Sequence, residues 1–506
     1  MKKDLLLLII ILMNISIIAQ TAPTIEWESS FSSGGNDDCF HILPTQDGGY
    51  LAAGHTFTSN MYPDYWLIKL DSSGEMEWEK IIGGSFAESP REIIATPDNG
   101  YIIVGRSQSV DGDISGNIGT FDFWVVKINS IGEIQWEKSY GGTQFDEALS
   151  IIMTPDNNYV IAGNTASNDV DVTGHQGLVD YWVIKIDGSG NLLWQKTMGG
   201  TRDDRAESIK NTPDGGFIVA GYTDSSDGDV SEHLGEDDYW IVKLNAAGEI
   251  EWEKTYGGSD VDLARDIQVT IDGNYIVFGY TASNDVDVTD NNGGFDVWVV
   301  KLDDTGNIIW QKNFGGSEND YSLSGKATLD GGIVVGGSTH SNNGDVTYNR
   351  GSADVWIVKL YASGDLRWES TFGGSNYELS NSIEKTADGG YILGGYSESS
   401  DGNVSNPTPA LGDIWIAKLE PEVLDITEFT EIGISASPNP VQNSLNVTSK
   451  LPIGNIKIYN GSGEFINSYL IKSNNTNIDM SQYSSGVYML EVENEEHRKT
   501  LKIIKE

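Results

Sequence analysis

The chain has 506 residues, and its 31 basic against 75 acidic side chains give a formal net charge of −44. With 14 Trp, 22 Tyr, 14 Phe and 38% hydrophobic residues it has the material for a sizeable core, which excludes a disordered chain. So acidic a surface repels phosphate backbones and excludes nucleic acid as a partner class. The single cysteine, Cys39, excludes an internal disulfide and any CxxC metal site.

Lys2 and Lys3 precede an unbroken aliphatic run from Leu5 to Leu12, and apolar character continues to Ile18. The run falls short of the ~20 apolar residues of a membrane span. It fits a secretory signal peptide over residues 1–19, cleaved after Ala19. No cysteine follows to carry a lipid and no second apolar run of spanning length occurs, so no transmembrane span is expected in the mature chain.

The tryptophans count the repeats. Trp27, Trp78, Trp136, Trp194, Trp252, Trp310 and Trp368 form one series, spaced by 58 after a first step of 51. Trp66, Trp124, Trp182, Trp240, Trp298, Trp356 and Trp415 form a second, spaced by 58 and finally 59. Within one copy, residues 250–306, IEWEKTYGGS is an alternating strand ending in Gly-Gly, followed by DLARDIQVT, the Asp272-Gly273 turn, YIVFGYT, a long polar loop, VWVVKLD and the turn DDTG. Period-2 alternation and Asp-Gly hairpin turns give four strands per copy. The expected fold class is all-β, a seven-bladed β-propeller over residues 24–420. The array opens on a lone strand, TIEWESSF, and ends on DIWIAKL at 413–419 with no Trp strand after it. The N-terminal strand is therefore expected to complete the last blade and close the ring. The tryptophans are read as core between blades.

Four antiparallel strands put the Gly-Gly-Ser loop and the long loop of every copy on one face. Outside the N-terminal leader and the C-terminal segment the chain holds 22 basic and 66 acidic side chains, so the negative charge belongs to the repeats. The long loops carry paired carboxylates at Asp111/Asp113, Asp169/Asp171, Asp227/Asp229 and Asp285/Asp287, with Asn343/Asp345 and Asp401/Asn403 keeping the shape. A Ser or Thr follows each pair, and a further Asp stands two residues before each tryptophan of the second series. Carboxylates at i and i+2 beside a hydroxyl suit calcium, although the EF-hand spacing is missing. The competing reading is that these side chains cap loop backbone. The first copy has a shortened loop, TFTSNMYPD, without the pair.

No catalytic residue is assigned. The six histidines, at 41, 55, 175, 233, 340 and 497, follow no repeat position, and neither HExxH nor GxSxG occurs. Cys39 and His41 would share one face of a regular strand, though a buried free cysteine is usually inert. Arg91, Arg202, Arg205 and Arg265 read as loop residues offsetting charge on the acidic face. The expected function is binding or adhesion through that face, to a glycan, a surface protein or divalent cations. Two rivals stand beside it: a secreted hydrolase acting on polysaccharide through a carboxylate pair, and a structural surface component with no small ligand.

A linker over 421–433 leads to short alternating strands over 434–506, a small β-sandwich. Four motifs occur there in order: Pro438-Asn439-Pro440, IxIYNxxG from Ile456 to Gly463, S-x-G-x-Y containing Gly486 and Tyr488, and a terminal basic strand with Lys502 and Lys505. This segment resembles the type IX secretion sorting domain of Bacteroidota. The resemblance implies export across the outer membrane by the type IX machinery, removal of the tail, and release or attachment to surface lipopolysaccharide. The repeats resemble seven-bladed propeller repeats of secreted bacterial proteins with DGGYIVxGxT and DxWxxKLDxxG signatures, which implies a fold and no defined reaction.

Overall fold

The computed structural model describes residues 21–57, 61–328, 330–405, 412–422, 434–449, 453–460, 465–493 and 498–505. The expected signal peptide and most of the expected linker lie outside them. The chain divides into two compact units, Met1–Glu422 and Val423–Glu506. Among the described residues no helix is long and apolar enough to cross a membrane.

The first unit contains seven four-stranded antiparallel sheets. In the fourth blade Asp204–Asn211, Phe217–Thr223, Asp238–Leu244 and Ile250–Tyr256 pair in chain order as inner, second, third and outer strands. The turn after the inner strand is set by its own sequence. Thr212 donates its hydroxyl to Asp214 at 2.5 Å, and Gly215 takes a φ of 86° that glycine adopts without steric cost. The third strand is buried on both faces. Trp240, Val242 and Leu244 pack on the third blade, while Tyr239 and Ile241 pack on the fifth. Trp240 meets the Tyr181 ring at 4.6 Å, and the Tyr181 hydroxyl donates to the Trp240 carbonyl at 2.9 Å. The outer-strand tryptophans lie under the next blade: a Cβ on Gly306 would sit 3.0 Å from the Trp252 ring.

Lys243 closes the other end of the third strand. Its ammonium is buried and pairs with Asp214 and Glu251, both at 2.8 Å. The same lysine recurs in every blade against the Asp of the inner turn, and at Asp98 the hydrogen bonds from Lys127 and Thr96 hold the carboxyl down at about 2.

Ile25–Phe31 pairs antiparallel with Asp413–Leu419 and is the outer strand of the seventh blade. Its contacts repeat those inside a blade made of consecutive strands. Trp415 Nε1 donates to Glu28 at 3.0 Å as Trp240 Nε1 does to Glu253 at 2.8 Å. Lys418 reaches Glu26 at 3.1 Å as Lys243 reaches Glu251. The first and seventh blades also meet directly. Ile42 N–H donates to Ser382 at 3.3 Å, Asn381 donates to the Cys39 carbonyl at 2.9 Å, and Cys39 and Ile42 pack against Ile414 and Ile416. The ring is closed.

The second unit is a sandwich. One sheet joins Ser435–Ser437, Ser444–Thr448 and Asn475–Asp479; the other joins Phe465–Leu470, Asn455–Asn460, Gly486–Glu493 and Arg498–Lys505. Leu445, Val447, Ile456, Ile458, Leu490 and Val492 fill its core.

Candidate functional site

The paired carboxylates of the long loops reach back to the Gly-Gly loop that precedes the inner strand of the same blade. Asp227 accepts the Thr201 N–H at 2.8 Å, and Asp229 accepts the Gly199 N–H at 3.3 Å. Asp111 and Asp113 do the same for Ser85 and Gly83, Asp169 and Asp171 for Thr143 and Gly141, and Asp285 and Asp287 for Ser259 and Gly257. Asn343 with Asp345 serves Ser317 and Gly315, and Asp401 with Asn403 serves Ser375 and Gly373. An asparagine oxygen performs this task as well as a carboxylate, so the position requires an acceptor and not a charge. The hydroxyls that follow the pairs turn to the outer strand instead: Thr347 donates to Glu369 at 2.5 Å, and Thr289 accepts from Gln311 at 2.5 Å. Among the described residues no group of three or more His, Cys, Asp or Glu is placed to hold a metal ion.

The Asp that precedes each tryptophan of the second series is part of a second arrangement. Asp180 is fully buried, accepts the Gln176 N–H at 2.7 Å through Oδ2, and leaves Oδ1 without a hydrogen bond. Across the blade junction the equally buried Asp204 accepts from Gly200 N–H at 2.7 Å, from Ser225 at 2.9 Å and from the Thr223 hydroxyl. A Cβ on Gly199 would lie 2.9 Å from Asp180 and 2.6 Å from Asp204, so the two carboxyls flank one glycine. Burial pushes both up to about 6. The same pair brackets Gly141 (Asp122 and Asp146), Gly257 (Asp238 and Asp262) and Gly315 (Asp296 and Asp320).

The inner strands of all seven blades line a central cavity of about 310 Å³. Each inner strand carries a bulge near its middle, as between Cys39 and His41 or Ala206 and Ser208. The bulge corrects two expectations. Cys39 and His41 do not share a face: Cys39 packs in the core, where burial pushes its thiol up, and His41 lines the cavity. Arg91, Arg205 and Arg265 are not loop residues. They lie in the inner strands Glu88–Ala95, Asp204–Asn211 and Asp262–Val269 and line the cavity. The bulge breaks the alternation that marks a strand, so charged residues there read as loop. Arg202 does lie in a loop, paired with Asp224 at 2.6 Å.

At the waist of the channel, side chains stitch each inner strand to the next. The Ile151 N–H donates to Glu92 at 2.7 Å, Ile209 to Ser150 at 3.2 Å, Gly325 to Asp266 at 3.1 Å and Ile383 to Ser324 at 3.4 Å. Beyond the waist Lys326 pairs with Glu384 at 2.8 Å.

The mouth on the loop face is built from arginines and aromatic rings. Glu147 accepts Arg91 at 2.8 Å and meets Arg106 at 3.3 Å; Arg265 reaches Glu207 at 2.6 Å and the Tyr280 hydroxyl at 2.7 Å. The Arg91 guanidinium stacks over Phe40 at 4.7 Å, and that of Arg106 over Phe121 at 4.8 Å. Tyr280, Tyr321, His340, Tyr377 and Tyr396 form a run of ring contacts at 4.9–6.2 Å across the fifth to seventh blades. Burial, against the opposing pull of Arg91, pushes Asp38 up to about 7.

These mouth positions differ from blade to blade, while the framework repeats. The inner-strand residue that follows the leading carboxylate (Asp37, Glu88, Asp146, Asp204, Asp262, Asp320 and Glu378) reads Asp38, Ser89, Glu147, Arg205, Leu263, Tyr321 and Leu379 around the ring. The residue after the second strand's last glycine reads His55, Arg106, Asn164, Tyr222, Tyr280, Ser338 and Tyr396. The signal lies in the columns of the seven aligned copies and forms no named motif.

In the second unit the expected sorting residues hold the last strand. Asn439 donates to the Lys502 carbonyl and accepts the Ile504 N–H, both at 2.8 Å, and the Tyr488 hydroxyl donates to the Ser484 carbonyl at 2.9 Å. Pro438 and Pro440 flank Asn439, and Gly486 pairs with Lys505 at the edge of that strand pair. Residues 435–506 match the secretion system C-terminal sorting domain. The chain is a β-propeller protein that carries a secretion system C-terminal sorting domain, which places it outside the cell or on its surface.

The repeat region has distant relatives. It is 26% identical over 200 residues to the regulatory protein FlaEY of Caulobacter vibrioides, covering 37% of this chain and 20% of that one. It is 20% identical over 274 residues to an uncharacterized WD repeat-containing protein of Acanthamoeba polyphaga mimivirus, covering 42% and 19%. The chain thus spans about a fifth of the length of these relatives. Among solved structures, it is similar to PorZ, described as an essential bacterial surface component of the type-IX secretion system of Porphyromonas gingivalis. That match has 11% identity, covers 91% of this chain and 69% of that one, and has a TM-score of 0.32. A puromycin hydrolase matches with 11% identity over 75% of this chain and 52% of that one, at a TM-score of 0.39.

Proposed function

We propose that this exported propeller is a surface binding protein whose ligand seats in the loop-face mouth of the central channel. The observation that carries this reading is where the blades differ. Packing, turns and loop staples repeat around the ring, and individual side chains gather at the mouth, where arginine, tyrosine, leucine and carboxylate occupy equivalent positions. A ring that served only as a scaffold would have no reason to vary there. Rigid strands hold these side chains, which suits recognition. The reading needs no cation, because the loop pairs are already engaged with backbone amides.

The test is a binding screen with the full chain against saccharides and surface extracts, run on wild type and on Tyr222→Leu. Binding that the variant weakens supports the reading. Binding untouched by Tyr222→Leu and by substitutions at Arg106 and Arg205 would place the ligand elsewhere. Release of shorter products during the screen would favour the hydrolase instead.

A further inference from the structure

We propose that the mouth recognises a carboxylate carried on a saccharide, a uronate at the end of a glycan chain; this rests on the mouth being the binding site. The inference comes from comparing the partners of the charged groups at the mouth. Three carboxylates are already engaged: Glu147 by Arg91 and Arg106, Glu207 by Arg265, and Asp38 by Asn381 at 2.9 Å. The donors are not. Arg205 lines the cavity; its guanidinium makes no hydrogen bond among the described residues and has one ion pair, to Asp203 at 3.7 Å. The Arg106 guanidinium makes no hydrogen bond among the described residues either; it meets Glu147 at 3.3 Å and stacks over Phe121. Arg265 keeps a buried Nε without a partner. Guanidinium edges that make no hydrogen bond are open to an anion, and their planar fork matches a carboxylate.

The surroundings narrow the anion. Asp203 and Glu207 stand close to these arginines, so a dianion such as a phosphate monoester is repelled more than a single carboxylate. The negative field of the loops likewise disfavours a polyanion along its length and tolerates one charged end. The saccharide follows from the rings. Tyr222 is half-buried and borders the cavity beside Arg265, giving a ring surface for the C–H face of a sugar.

The experiment is calorimetric titration of the full chain with oligosaccharides ending in glucuronate, galacturonate or mannuronate, each paired with its methyl ester. A matching sulfated sugar forms a third arm. The ester keeps the shape and removes the charge. At least one uronate is expected to bind tenfold or more tightly than its ester. Arg205→Met should abolish that preference while leaving the melting temperature unchanged, because the Arg205 side chain makes no hydrogen bond among the described residues and only a long ion pair. Equal binding of acid and ester, both weakened by Tyr222→Leu, would overturn the carboxylate inference and leave the mouth as the site. Equal binding of the sulfated sugar, or no binding of any uronate, would also overturn it. Binding of any of these sugars that ignores both Arg205→Met and Tyr222→Leu would overturn the mouth reading itself.

Discussion

Asp180→Asn should stabilise the ring, and should do so only where the wild-type carboxyl is ionised. Asp180 is fully buried, with one oxygen lacking a hydrogen bond and a second carboxyl, Asp204, on the other side of Gly199. Burial raises it from an ordinary 3.8 to about 6. The folded state therefore holds this proton to higher pH than the unfolded chain. Its contribution is fully present below the unfolded pKa and is lost as pH rises through about 4 to about 6. A difference of that size corresponds to about 3 kcal/mol once both states are ionised. Asparagine has no proton to lose, its oxygen accepts the Gln176 N–H, and its amide nitrogen offers a donor toward Asp204. Urea unfolding of wild type and variant should show a gain approaching about 3 kcal/mol above about pH 7, about half of that near pH 5, and none below about pH 4. A variant less stable than wild type near pH 8, or a gain independent of pH, would refute the reasoning.

Trp240→Ala removes a fully buried indole that meets Tyr181 across a blade junction, and should cost about 3–5 kcal/mol in the same assay; an unchanged midpoint would contradict it. Val286 sits at a φ of 55° where the equivalent Gly228 takes 69°, so Val286→Gly should gain about 0.5–1 kcal/mol by relieving a left-handed β-branched residue. Its melting temperature should rise, and a fall would show that the valine is held for packing. Melting in calcium and in chelator should give the same midpoint, because the loop pairs already accept backbone amides; a midpoint raised by calcium would assign those pairs to a cation.

The ring was legible because its core is periodic. Indoles at fixed spacing report blade junctions directly, and a lone strand at the start opposite an incomplete blade at the end leaves one way to close. The loop pairs were legible as residues but not as contacts: nothing in Asp227 and Asp229 says that their partners lie in the loop 26–30 residues earlier. The junction carboxyls were visible before each tryptophan, yet their opposite numbers at Asp204 and Asp262 belong to the next blade. The channel was hidden by the bulge, which makes Arg205-Ala206-Glu207-Ser208 look irregular when it is strand. Val170 and Val286 were invisible as strain, since valine is a strand former and only the glycines at the equivalent positions betray the left-handed backbone.

The mouth exists only if seven inner strands surround one channel, and that requires the first strand to sit on the last blade. Hydrogen exchange followed by mass spectrometry on the intact chain tests this directly. Amides of Ile25–Phe31 that face the Asp413–Leu419 strand should exchange as slowly as their partners there, and both should lose protection together on unfolding. Rapid exchange throughout Ile25–Phe31 beside a protected Asp413–Leu419 would mean an open ring, and the site argued from its closure would not exist.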